Sequence, residues 1–201
     1  MRSYFRFLMQ FIELKKFVRE KLKNDLSADL SYHCPSHTDD VMNAAEKLAA
    51  AEGVTGDDFI LLLTSALLHD TGFLRSYREH ESLSVEFAKE VLPSYGYDPG
   101  QIDRVAEMIL ATKIPQSPKN ALSELLCDAD LDYLGRGDYE PIAASLFDEF
   151  KVYGVVENEE QWLKLQIDFL SRHRYFTRTA ISNRESGKQA QLERLKAIRI
   201  G

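Results

Sequence analysis

Cysteine is nearly missing from this chain of 201 residues: only Cys34 and Cys127 occur. Neither has the paired spacing of a zinc–thiolate site and no secretion signal accompanies them, so both are expected to be reduced packing residues of a cytoplasmic protein. Long hydrophobic runs are missing too. The most apolar stretch, Phe59 to Leu68, contains Thr64 and Ser65 and stops at His69-Asp70. That is well short of the ~18 apolar residues a membrane-spanning helix needs. The apolar, basic start MRSYFRFLMQFIELKK is broken by charges and lacks a small-residue cleavage site, so it reads as an amphipathic helix of the mature protein. Sustained period-two alternation is absent, and nothing therefore demands a sheet. No repeat, no low-complexity tract and no Gly-rich phosphate loop is found.

What is present is ordinary globular material. Hydrophobic residues make up 44% and charged residues 28%, enough for a sizeable core and against long disorder. The net charge of -7 argues against nucleic-acid binding. Its distribution is uneven: residues 1–24 carry a net +5, residues 171–201 a net +6, which leaves -18 for 25–170. The expected arrangement is two basic terminal helices packed near each other over an acidic body. A basic rim attracting anionic substrate is the sharper alternative.

Helical periodicity runs through almost the whole chain. Leu8, Phe11, Ile12, Val18 and Leu22 share one helix face. After a polar link, Ser36 with Asp39 resembles a capping box, opening a helix to about Ala51. Thr55 with Asp58 opens the apolar helix that ends at His69-Asp70, with Gly72 just beyond. Further helices are expected from Glu79 to Tyr95, with Pro93 bending or ending it, and from Asp98-Pro99 to Thr112. The remainder are expected over Leu122–Leu134, Tyr139–Tyr153, Trp162–Arg174 and a polar stretch to the C-terminus. The fold class is all-α, a single domain over 1–201 of roughly eight to ten helices.

Four of the five histidines lie between positions 33 and 80. Adjacent residues on a helix diverge by ~100°, so His69 and Asp70 can reach one ion only where the helix ends. Ending a buried apolar helix with an imidazole and a carboxylate sets both against the interior, where unpaired charge is costly and an ion would satisfy both. Taken alone, the dipeptide is more often a solvated helix end.

The wider pattern carries more. Tyr32-His33-x-x-x-His37-x-x-Asp40-Val41, then His69-Asp70, then Ala129-Asp130-Leu131, resembles the HD-domain superfamily of metal-dependent phosphohydrolases, together with the flanking text HDTGFLR, HESLS, ILATK and DADLDYLG. The resemblance implies an HD-type domain with its metal core at about 32–135, helix 1–24 and the helices of 139–200 packing on it. It implies a divalent ion held by His37, His69, Asp70 and Asp130. This mixed N/O set suits Fe, Mn, Zn, Co or Ni better than Mg. One ion is expected and a second is possible, bridged by Asp70. In cyclic-nucleotide phosphodiesterases, a branch of this superfamily, the first His of the motif protonates the leaving oxygen. His33 takes that role here, and a free imidazole titrates near ~6.5, which suits it.

Two departures bear on the second ion. Phe73 stands where the phosphodiesterase pattern has a histidine, and Thr112-Lys113 where other two-metal members carry one. His80 and Glu81 are left as second-metal or supporting residues, with Asp128 orienting a ligand histidine from behind. Arg75 and Lys113 are expected to grip phosphate, Lys113 also offsetting charge in the transition state. His173, in a basic run, is expected to be exposed, while Tyr133, Tyr139, Tyr153 and Phe176 are expected to be core residues before they are a base pocket. The implied function is hydrolysis of a small phosphomonoester or phosphodiester, of nucleotide type, with no nucleic-acid or membrane partner. Two rivals stand beside it. A non-catalytic metal- or nucleotide-sensing domain would bind without turnover, and a di-iron oxygenase would need a fuller histidine set than this chain has.

Overall fold

The apolar run at positions 59–68 forms the centre of the molecule. In the computed structural model, which describes residues 2–198, it lies in helix α3 (Gly56–Leu68), where Ile60, Leu61, Leu62, Leu67 and Leu68 are wholly buried. Around it stand α1 (Arg2–Asp25), α2 (Pro35–Ala51), α5 (Pro99–Ala111) and α6 (Ala121–Asp130), with α4 (His80–Val91) packed against α5. The chain continues as α7 (Tyr139–Val152), α8 (Glu159–Arg172) and α9 (Arg178–Ala197). Single 3-10 turns occupy Thr71–Leu74, Leu92–Tyr95 and Asp132–Gly135. No strand occurs among the described residues, and none of their helices is long and apolar enough to cross a membrane.

Several boundaries differ from expectation for local reasons. Pro35 occupies the first position of α2 and Cys34 caps it in extended backbone, so Ser36 already lies inside the first turn and its capping box does not form. Asp98 and Gln101 do form one at the start of α5. Pro93 ends α4 early: the helix stops at Val91, tightens to 3-10 over Leu92–Tyr95, and closes on Gly96 in left-handed backbone.

Two hydrophobic clusters result. The first joins α1 to α6 around α3. The second gathers Tyr133, Leu134 and Tyr139 with Trp162, Leu163 and Leu170 of α8 and Leu192 and Leu195 of α9. In the second, α9 lies against the 132–135 turn at near-backbone distance, since a Cβ at Gly187 would stand 2.1 Å from the carbonyl oxygen of Gly135. The basic terminal helices therefore serve different places: α1 packs mainly on α3, while α9 packs mainly on the 132–135 turn and α8. The expected pairing of the two is replaced by this split, because Phe7, Phe11, Leu14, Val18 and Leu22 of α1 join the first cluster while Leu192 and Leu195 of α9 join the second.

Candidate metal centre

Three helix ends converge on one point. α3 finishes at Leu68; His69 keeps helical backbone, but Asp70 leaves it with φ -108° and ψ 7°. This break turns two adjacent side chains toward a common centre, with His69 Nε2 3.2 Å from Asp70 Oδ2. His37 arrives from the first turn of α2 and Asp130 from the last residue of α6. His37 Nε2 lies 3.4 Å from Asp70 Oδ2, 3.3 Å from Asp130 Oδ1 and 3.4 Å from His69 Nε2. His69 Nε2 lies 3.5 Å from Asp130 Oδ1.

These separations fit an ion. Ligand atoms ~2.1 Å from a transition metal stand roughly 3.0–3.4 Å apart in octahedral or tetrahedral arrangement. His69 Nδ1 donates to the Ala66 carbonyl at 2.9 Å, which leaves Nε2 as the bare lone pair facing the carboxylates. Asp70 Oδ2 is buried and accepts no hydrogen bond. Two helix C-termini, of α3 and α6, add partial negative charge to the same spot. A cation answers all of these features at once. The electrostatics report the same demand. Burial disfavours charge on His37, yet the Asp130 and Asp70 carboxylates beside it lift it to about 9. Burial likewise opposes ionisation of Asp70, yet His69 and His37 hold it well below the usual carboxylate range.

Beside the cluster, Asp70 Oδ1 lies 3.6 Å from His80 Nε2, which is 3.5 Å from Glu81 Oε1. Asp70 therefore presents one oxygen to the four-residue cluster and the other to the His80–Glu81 pair. Gly72 makes that approach possible, since any Cβ there would sit 1.9 Å from the His80 carbonyl oxygen. Phe73 stacks on both His33, at 4.3 Å, and His80, at 4.1 Å between ring centres, and those two imidazoles are themselves 5.9 Å apart.

His33 is bound by a residue that sequence reading missed. Glu149, wholly buried on α7, accepts from the backbone N–H of Tyr32 at 2.9 Å and of His33 at 3.0 Å, and its other oxygen meets His33 Nδ1. Burial raises Glu149, but the bond from His33 prevails and holds it below the usual range. The one available signal was a carboxylate on the apolar stripe of Ile142, Leu146 and Phe150.

Other expected site residues lie elsewhere. Asp128 accepts from the backbone N–H of Phe176 and Thr177, at 2.9 and 2.8 Å, and from the Thr177 hydroxyl at 2.7 Å. It anchors the entry to α9 and touches no histidine of the cluster, because two helical residues from Asp130 it faces ~200° around α6. Arg75 pairs with Glu86 and Glu90 at 3.3 and 2.6 Å and does not line the cavity beside the cluster. Lys113 pairs with Glu79 at 2.8 Å, between two residues, Thr112 and Ile114, that do line it. His173 is buried, 9% exposed, where exposure was expected. Tyr133 and Tyr139 belong to the second core and also wall the cavity, Tyr153 stacks on Tyr77 at 3.8 Å, and Phe176 lines a separate pocket. Asp40 of the motif binds Arg136 at 2.8 Å, tying α2 to the 132–135 turn.

The model of the HD domain family matches residues 36–134, which span all four cluster residues. A crystal structure described as a predicted HD superfamily hydrolase from an uncultured Thermotogales bacterium superposes with a TM-score of 0.62 at 22% identity, covering 92% of this chain and 88% of that one. Bacillus subtilis YpgQ, solved in complex with ADP, superposes with a TM-score of 0.63 at 21% identity, covering 95% and 94%. A search of curated protein sequences gave no match. Residues 36–134 of this chain thus match the HD domain, with the ordered His37, His69-Asp70 and Asp130 inside the match, and the all-helical fold is shared with both structures.

Proposed function

We propose that this protein is a metal-dependent phosphohydrolase acting on a small, nucleotide-type phosphoester in the cytoplasm. The observation that carries the reading is that one carboxylate oxygen each of Asp70 and Asp130 lies 3.2–3.5 Å from Nε2 of both His37 and His69, while Asp70, Asp130 and the Glu149-bound His33 line one cavity. His37, His69, Asp70 and Asp130 would hold a divalent transition ion, with Asp70, His80 and Glu81 available to a second. Such an ion supplies Lewis acidity at phosphorus and a water-derived nucleophile at neutral pH. His33, its Nδ1 face fixed by Glu149, turns Nε2 to the cavity and gives a proton to the leaving oxygen. Lys113 sits at the rim, where a substrate phosphoryl group can take it from the exposed Glu79 and offset developing charge. Arg75 would reach phosphate only by leaving Glu86 and Glu90, so Lys113 is the better placed of the two. The nucleotide-type part of the reading rests on the ADP bound by YpgQ, whose fold this chain shares.

The test is elemental analysis of wild type beside Asp70→Ala, with phosphate release followed for nucleoside monophosphates and simple diesters. Wild type should hold at least one transition ion per chain, and the variant should lose ion and activity together. Full metal content in the variant would overturn the ligand assignment. A metal-loaded wild type that releases no phosphate from any ester would overturn the hydrolase reading.

A further inference from the structure

The cavity that begins at the ligand cluster continues between α7 and α8, with about 160 Å³ of free space. His33, Asp70, His80, Glu81 and Asp130 line its polar end. Apart from Thr112 and Gln166, the rest of its wall is aliphatic and aromatic, with Leu134, Leu146, Phe150, Trp162 and Phe169 as its larger members. No lysine or arginine lines it among the described residues. One side-chain amide interrupts the apolar wall. Gln166 accepts the Tyr139 hydroxyl on Oε1 at 2.8 Å, its NH₂ has no protein partner among the described residues, and the side chain stands between this cavity and a second pocket walled by α7, α8 and α9.

Three physical consequences follow for whatever fills this space. A polar group buried against the apolar wall without a partner loses roughly 1–3 kcal/mol, so the body must be apolar over most of its surface. Phosphate oxygens beyond the cluster would meet no cation in the wall, so a single phosphoryl group is accommodated and a polyphosphate chain is not. Gln166 supplies the one side-chain amide in a wall whose other polar groups away from the cluster include the hydroxyls of tyrosine and Thr112, an arrangement by which pockets select orientation and identity.

We infer that the substrate is a monophosphate ester of a compact, mostly apolar alcohol whose far end carries one hydrogen-bond acceptor, read by the Gln166 amide. This rests on the phosphohydrolase reading and replaces its nucleotide-type part, since the apolar wall suits a compact alcohol in place of a nucleoside. In the reaction, the oxygen of water bonds to phosphorus as the ester P–O bond breaks. The departing alcohol takes its proton from His33, the proton lost by water restores His33, and inorganic phosphate is the second product.

The experiment uses the metal-loaded full chain and two matched series, n-alkyl phosphates from ethyl to hexyl for turnover and the corresponding n-alkylphosphonates for binding. Each added methylene should raise kcat/KM, and tighten phosphonate binding, by about fourfold, from ~0.8 kcal/mol per buried CH₂. A 4-methoxybutyl phosphate, equal in chain length to hexyl phosphate, should be preferred over it by wild type, and Gln166→Leu should reverse that order. Flat or falling series, or better turnover of the diphosphate than of the monophosphate of one alcohol, would overturn the inference. Binding that tightens with length but no turnover of any ester would sink the hydrolase reading while the cavity assignment stands. Leu146→Asp should flatten both series; if it fails to fold, the Gln166→Leu reversal decides the matter alone.

Discussion

Two buried histidines in two parts of the molecule behave in opposite ways. His37, in the α1–α6 region, is raised to about 9, while His173, in the α7–α9 region, is lowered to about 4. Burial pushes both down. At His37 it is overcome by the Asp130 and Asp70 carboxylates, whereas at His173 it is reinforced by the Lys188 ammonium. Both ring nitrogens of His173 are buried and unpaired. The first region thus gathers positive charge at the carboxylates of the cluster, whereas the second already holds the buried Lys188 ammonium and keeps His173 neutral beside it.

The largest expected effects test that opposition directly. His173 takes up its proton near ~6.5 when unfolded but only near 4 when folded. Its contribution is complete above ~6.5 and lost as pH falls toward 4, a drop of roughly 3 kcal/mol. Urea melts from pH 7 to 4 should show this loss in wild type and a much shallower one in His173→Phe. In metal-stripped protein, His37 acts with the reverse sign: its contribution is complete below ~6.5 and is lost as pH rises through 9. A stability that rises with pH across 7 to 9 in stripped protein would break the comparison.

Next comes the link between the regions. Glu149→Gln should keep full metal content yet lower kcat about a hundredfold, the order expected for impaired general acid chemistry. His33→Ala should do the same, and the double variant should fall little further, because the pair acts as one unit. Metal loss in Glu149→Gln would show the second region supporting the cluster itself. Gly72→Ala should cost about 1–3 kcal/mol by overpacking against the His80 backbone; an unchanged melt would mean that contact is loose. Smallest of all, Arg75→Ala should change stability by less than ~0.5 kcal/mol, its ion pairs being solvated, and leave metal content unaltered. A measurable loss of metal would draw Arg75 back to the site.

Most of the first region was legible in the residues. Asp98-Pro99 and the apolar run at 59–68 mark helices by local rules, and the order His37, His69-Asp70, Asp130 marks helix ends. Asp128 and Glu149 escaped for one physical reason. Their partners lie 48 and 116 residues away, so no local pattern records the bond. His173 looked exposed because its neighbours Arg172 and Arg174 are charged, and only the packing of α9 against α8 covers it.

Residue order therefore decided which segments are helical, where they stop and which donor types stand at their ends, since capping, proline geometry and periodicity act over a few residues. The folded chain alone decided that Asp70 shows one oxygen to each side, that Glu149 holds His33, and that α8 closes an apolar cavity over the cluster. Those outcomes depend on how distant apolar faces share two cores, and no short stretch of sequence carries that information.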